Sequence, residues 1–173
     1  MLNSFLKTGA VTALVAVMGV SAFAQSSTNR ENASQDWSVF AENGECWIVS
    51  APREWIATRG GNKVEAKRSD ILLFVTYRPS RGITGEVSYT GGYSFKTDHP
   101  IKMQIGSSSY TLYPEGEWAW PESASEDAKI RESMKRGATA VITASSPRPT
   151  LTKDTFSLKG FTAALEDAEK RCK

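Results

Sequence analysis

The stretch GFTAALEDAEKRCK (residues 160–173) decides how the fold must close. Phe161, Ala164, Leu165, Ala168 and Cys172 recur at the spacing of one helical face, which predicts a helix docked through that stripe with its thiol aimed at the core. The other cysteine, Cys46 in ENGECWIVS, stands 126 positions earlier. Two thiols allow one intramolecular pairing, and catalytic dithiols sit two residues apart rather than at this distance. In an oxidising compartment the expectation is a structural Cys46–Cys172 bridge tying the last helix to an early strand. Chain entropy gives such a long loop a ceiling of about 4–5 kcal/mol.

The compartment is read from the other end. MLNSFLK carries one positive charge, TGAVTALVAVMGV none, and SAFA offers Ala22 and Ala24 before Gln25. That is the layout of a secretory signal over residues 1–24, with an apolar run too short for the roughly 20 residues of a spanning helix. No transmembrane segment is expected after its removal, and no cysteine follows that could be acylated, so a periplasmic or secreted protein is expected. Residues 25–35, QSSTNRENASQ, hold no large apolar side chain and read as a flexible leader. Residues 36–173 then read as a single domain with one core. Without Lys7 the chain carries 20 basic and 19 acidic side chains, a balance that gives no electrostatic case for nucleic acid.

The middle of the sequence reads mainly as strand. WSVF (37–40), CWIVSA (46–51), EWIAT (54–58) and ILLFVTY (71–77) are short and rich in β-branched or aromatic residues, with turn residues between them. ILLFVTY is apolar on both faces, which suits a central strand. GEVSY and YSFK flank Thr90-Gly91-Gly92, and IKMQI and SYTLY flank Gly106-Ser107-Ser108, so two hairpins are expected. Ser123-Ala124-Ser125-Glu126 has capping-box spacing, Ile130 and Met134 follow at helical spacing, and Gly137 ends that helix. ATAVITAS (138–145) and KDTFSLK (153–159) read as strands before the last helix. Eight or nine short strands with two short α-helices, one between strands and one C-terminal, predict a mainly β fold, an antiparallel β-sandwich.

The stretches KIRESMKRGATAVITA and DTFSLKGFTAALEDA, supported by DWSVF…CW and ILLFVTYRP, resemble the exported invasion-associated locus B family of Gram-negative bacteria. The resemblance covers most of residues 36–173. It implies an immunoglobulin-like sandwich in the periplasm or cell envelope and a link to host-cell interaction. Its motifs are structural and name no reaction. Where many relatives carry a further cysteine pair, this chain reads YPEGEWAWPES, with Trp118 and Trp120 instead.

Chemistry is sparse. His99 in TDHP is a lone histidine with no nucleophile elbow nearby, no metal-ligand set recurs, and no phosphate-cradling glycine loop is present. No catalytic residue, metal or cofactor is therefore expected. Glu115 and Glu117 alternate around Gly116 ahead of Trp118 and Trp120. An extended segment would put the acids on one face and the tryptophans together. Two readings stay open: a turn whose tryptophans pack on the sandwich at the start of the first helix, or a binding surface formed by Glu115, Glu117, Trp118 and Trp120. Trp37, Trp47 and Trp55 are expected in the core. Lys67 and Arg68 are expected on a solvated surface. The functional expectation is a non-enzymatic binding module for an envelope or host-surface protein. The alternative is a glycan-binding or glycan-hydrolysing protein using the Glu115–Trp120 segment.

Overall fold

Every apolar strand in this sequence needs a second layer to cover it, and the chain supplies that layer itself. A computed structural model describes residues 30–173; the signal expected over residues 1–24 and the first part of the expected leader lie outside them. The described residues form twelve strands, two α-helices and one short 3-10 turn, Pro79–Arg81. They are β1 (Arg30–Ser34), β2 (Trp37–Glu42), β3 (Glu45–Ser50), β4 (Glu54–Arg59), β5 (Asn62–Lys63), β6 (Leu72–Arg78), β7 (Ile83–Thr90), β8 (Ile101–Ile105), β9 (Ser108–Glu115), β10 (Trp118–Trp120), α1 (Ala124–Arg136), β11 (Thr139–Ser145), β12 (Thr150–Ser157) and α2 (Phe161–Arg171).

All pairings are antiparallel, in the order β1-β2-β3-β6-β7-β10-β9-β8-β11-β12-β4-β5. β9 is the corner of this order. Its first half, Ser108–Leu112, pairs with β8, and its last residues, Tyr113–Glu115, pair with β10. The order thus folds into two sheets whose inner faces meet. Trp37 of β2 donates from Nε1 to the carbonyl of Ser157 in β12 at 3.0 Å. Tyr89 of β7 meets Phe156 of β12 edge-on, with ring centroids 6.2 Å apart. The mainly β, sandwich-like class read from the sequence is what the chain adopts.

The core follows from strand parity, because alternate residues point to opposite faces. Val39, Ile48, Leu73, Val75, Val87 and Tyr89 of the first sheet are wholly buried against Met103, Ile142 and Phe156 of the second. α2 closes one end. Phe161, Ala164, Leu165 and Ala168 are buried, and Phe161 packs edge-on against Trp37 at 5.0 Å. The Cys46–Cys172 sulfurs are bonded, with Cα atoms 5.9 Å apart, so the thiols lie where α2 docks on β3. Gly160 opens this helix with φ +85°, and a side chain there would collide with the carbonyl of Ser34.

α1 begins at Ser123, whose hydroxyl accepts from the Glu126 N–H at 3.4 Å. The reciprocal half of the capping box is absent, since the Glu126 carboxylate pairs with Lys129 at 2.6 Å instead. Gly137 ends α1 in extended rather than left-handed backbone. It is glycine for lack of room: a Cβ there would stand 2.6 Å from Ile105 Cγ2. Asp127 anchors α1 to β7 by accepting the Val87 N–H at 2.8 Å. Burial pushes its carboxyl above the usual range, with that hydrogen bond and Arg131 opposing the shift.

Four expectations need correction. The leader is not wholly free: Arg30–Ser34 form an edge strand on β2. Backbone pairing suffices there, helped by Asn32 donating to Asp167 at 2.9 Å and Glu31 meeting Arg171 at 3.0 Å, both on α2. YSFK is not a strand; β7 pairs with β6 and β10, so the glycines Gly91-Gly92 turn the chain away instead of closing a hairpin. Trp55 is 45% exposed, and Trp47 is half-buried on the outside of its sheet. Arg68, expected on a solvated surface, has a side chain only 3% exposed and is paired with the fully buried Asp154.

Candidate functional site

The residues that would carry chemistry fall into three places. Glu115 ends β9, Gly116 and Glu117 make the turn, and Trp118 opens β10, so the segment is a hairpin tip and not one extended strand. Glu115, Glu117 and Trp118 are exposed at that tip. Glu115 borders a hollow of about 390 Å³ beside the start of α1 with Trp120, Glu122 and Asp127, while Glu117 is not part of its wall. The two acids do not line one cleft. The tryptophans do come together, because β10 is extended and Ala119 between them faces the core.

Trp118 and Trp120 project from the outer face of the first sheet, with ring centroids 6.3 Å apart and planes 26° from parallel. Trp118 also touches Phe74 of β6 at 5.6 Å. Further along, Phe40 of β2 and Trp47 of β3 stack nearly parallel at 5.5 Å, directly opposite each other in the strand register. A row of five rings therefore crosses the outside of this sheet from β2 to β10. Between Trp47, Phe74 and Trp118 lies a groove of about 280 Å³, with the hydroxyls of Thr76 and Ser88 and the side chains of Glu45 and Arg78 in its walls. Arg78 bridges two acids, from Nε to Glu45 at 3.1 Å and from Nη1 to Glu86 at 3.3 Å, and all three side chains are about one-third exposed. Neither helix is packed on this face: α2 lies against β1, β2, β3 and β6 through the core side, and α1 against β7 through Asp127.

The opposite sheet holds a different arrangement. The Arg68 guanidinium grips Asp154 with both terminal nitrogens, at 2.7 and 2.5 Å, and donates from Nε to the Gly91 carbonyl at 2.7 Å. Tyr89 donates its hydroxyl to the same carboxylate. Arg68 is flanked by the rings of Trp55 and Tyr93, at 5.5 and 5.3 Å. Burial alone would lower the Arg68 pKa, but the Asp154 hydrogen bonds and charge carry it above its ordinary value. Tyr89 is pushed far upward, first by burial and then by the Asp154 charge. This pair is satisfied on every side and joins the two sheets. Beside it Arg59, Lys67 and Arg148 surround a cleft of about 510 Å³ that also holds Glu65 and Thr150.

His99 is exposed, 3.0 Å from Asp98 and 3.4 Å from Lys96. Among the described residues no group of three or more histidine, cysteine, aspartate or glutamate side chains could hold a metal ion, and no helix is long and apolar enough to cross a membrane. The sequence reading found Trp118 and Trp120 but missed Phe40, Trp47 and Phe74. The signal was present, since each alternates with a core residue (Val39, Ile48, Leu73) and so must point outward.

These features define a two-sheet antiparallel β protein closed by a disulfide-linked helix and carrying an aromatic outer face. One solved structure is similar to it: the crystal structure of invasion associated protein B from Bartonella henselae aligns over 80% of this chain and 94% of its own, with TM-score 0.53 and 14% identity. At that identity the likeness is one of fold. No family model matches the sequence, and no curated protein does.

Proposed function

We propose that this protein is exported and works without catalysis, as a binding module whose contact surface is the aromatic outer face of the first sheet. The observation that carries the reading is the row Phe40, Trp47, Phe74, Trp118 and Trp120, which lies outside the core with no element of the described chain over it. Rings outside the core, with Trp118 38% exposed among them, are the kind of apolar surface that marks a docking site. Export is supported by the signal-like residues 1–24 and by a disulfide, which persists in oxidising compartments. The fold shared with invasion associated protein B supports an envelope or host-surface setting for the partner.

Glycan hydrolysis by Glu115 and Glu117 has less support, because a glycosidase needs two acids flanking one bond and these do not border a common cleft. The test is capture from cross-linked envelope fractions, comparing the parent with Trp118→Ala and with Trp55→Ala, an exposed ring on the other sheet. Partners lost from the first variant and kept by the second support the reading. Identical capture by all three would remove the outer face from consideration.

A further inference from the structure

The inner face of the second sheet changes character along β12. Phe156 lies in the core, and Asp154, Thr152 and Thr150 follow on the same side at alternate positions. Ala57 and Arg59 of β4 stand directly opposite Thr152 and Thr150. Buried polar groups need partners, and these have them. Thr152 pairs with the Tyr93 hydroxyl at 2.6 Å, and Thr150 Oγ1 accepts from Arg59 Nε and Nη2 at 3.2 and 3.0 Å. They line the cleft of about 510 Å³, a volume suited to a small molecule.

The walls of this cleft are charged and unbalanced. Arg68 is neutralised by Asp154, which leaves the three cations Arg59, Lys67 and Arg148 against the one acid Glu65, an excess of two positive charges. None of these four side chains forms an ion pair among the described residues. Arg59 is aimed by Thr150 and keeps Nη1 unused. Arg148 stands between Pro147 and Pro149, and its carbonyl accepts the Ser146 hydroxyl at 2.6 Å, so a stiff turn carries a guanidinium that has no partner. Two guanidinium forks and an ammonium around one cleft suit an oxyanion that accepts several N–H donors at once. A carboxylate would cancel half of the excess, whereas a phosphate monoester, at about −1.5 to −2 charges near neutral pH, cancels it. We propose that the cleft binds a small phosphate-bearing ligand through Arg59, Lys67 and Arg148. It lies on the second sheet, away from the aromatic row, so this inference does not rest on the role proposed for that row. Free phosphate, a soluble ester and a lipid headgroup share the chemistry, and the experiment separates them.

The full protein is titrated by calorimetry with inorganic phosphate, glucose 6-phosphate and, as the uncharged counterpart, glucose. It is also sedimented with phosphatidylcholine vesicles with and without phosphatidic acid. The expected result is binding of at least one phosphate probe and none of glucose. Arg148→Gln, at an exposed position, then weakens that binding roughly tenfold, as the loss of one charge-assisted contact does. Arg81→Gln, the same change of charge in the exposed Pro79–Arg81 turn, leaves it unchanged, and circular dichroism confirms that both variants fold. Inorganic phosphate binding as tightly as glucose 6-phosphate identifies free phosphate, and tighter binding of glucose 6-phosphate identifies a soluble ester. Sedimentation with phosphatidic acid vesicles alone identifies a lipid headgroup. No binding of any phosphate probe overturns the inference. So does binding that is indifferent to Arg148→Gln, or that both variants weaken equally, since surface charge at large would then account for it.

Discussion

The two faces of the first sheet are built from the same strands and are both aromatic, yet they meet opposite fates. On the inner face Trp37 and Tyr89 are wholly buried under the second sheet and α2. On the outer face Trp118 is 38% exposed, and its neighbours there are other rings. The inner rings are needed to fill the space between two layers. The outer rings fill no interior space; they pack on one another across neighbouring strands of the sheet. The difference separates what the fold requires from what a ligand would require.

Truncating one ring from each face should expose that difference most strongly. Trp37→Ala removes a fully buried indole, its edge contact with Phe161 and the donor to Ser157, and is expected to cost about 3–5 kcal/mol. Trp118→Ala gives up mainly ring contacts on an open surface and is expected to cost about 1 kcal/mol. Urea denaturation of the two variants measures both, and equal losses would erase the distinction between the faces.

The disulfide belongs with the inner side. Replacing Cys46 and Cys172 together by alanine should cost about 2–5 kcal/mol and free α2 from β3. Binding through the outer face should survive at temperatures where the variant remains folded. Loss of binding in a folded double variant would mean that α2 also shapes the site.

The smallest effect lies at the edge strand. The Asn32 hydrogen bond, and after it Arg171, hold the Asp167 carboxyl below its ordinary value of 3.8. A lowered carboxylate contributes stability that is present above the unfolded value and lost as pH falls through the folded one, here below about pH 4. An NMR titration should place the Asp167 midpoint below 3.8 and return it towards that value in Asn32→Ala. A midpoint at or above 3.8 would mean that β1 is not fastened to α2 in solution.

Local pattern made much of this fold legible. Helical spacing found α1 and α2, the Gly106-Ser107 turn found the β8–β9 hairpin, and the expectation of an oxidising compartment paired the two cysteines. The features missed are those set by distant partners. YSFK has strand composition, but the edge of β7 it would have used is taken by β10, nearly thirty residues further on. Arg68 sits in a polar stretch, and only the arrival of Asp154 from β12 makes its burial tolerable. Trp55 and Trp37 occupy similar strand segments. Which one faces the second layer depends on how the sheets are laid together, and composition does not record that.

The central claim is that the outer rings are open in the free protein and covered only by a ligand. Hydroxyl-radical footprinting read by mass spectrometry, with and without the captured partner, tests it directly. Trp37 should stay unmodified in both states, while Trp118 should be oxidised in the free protein and protected in the complex. A Trp118 as protected as Trp37 in the free protein, or equally oxidised with and without ligand, would contradict the account.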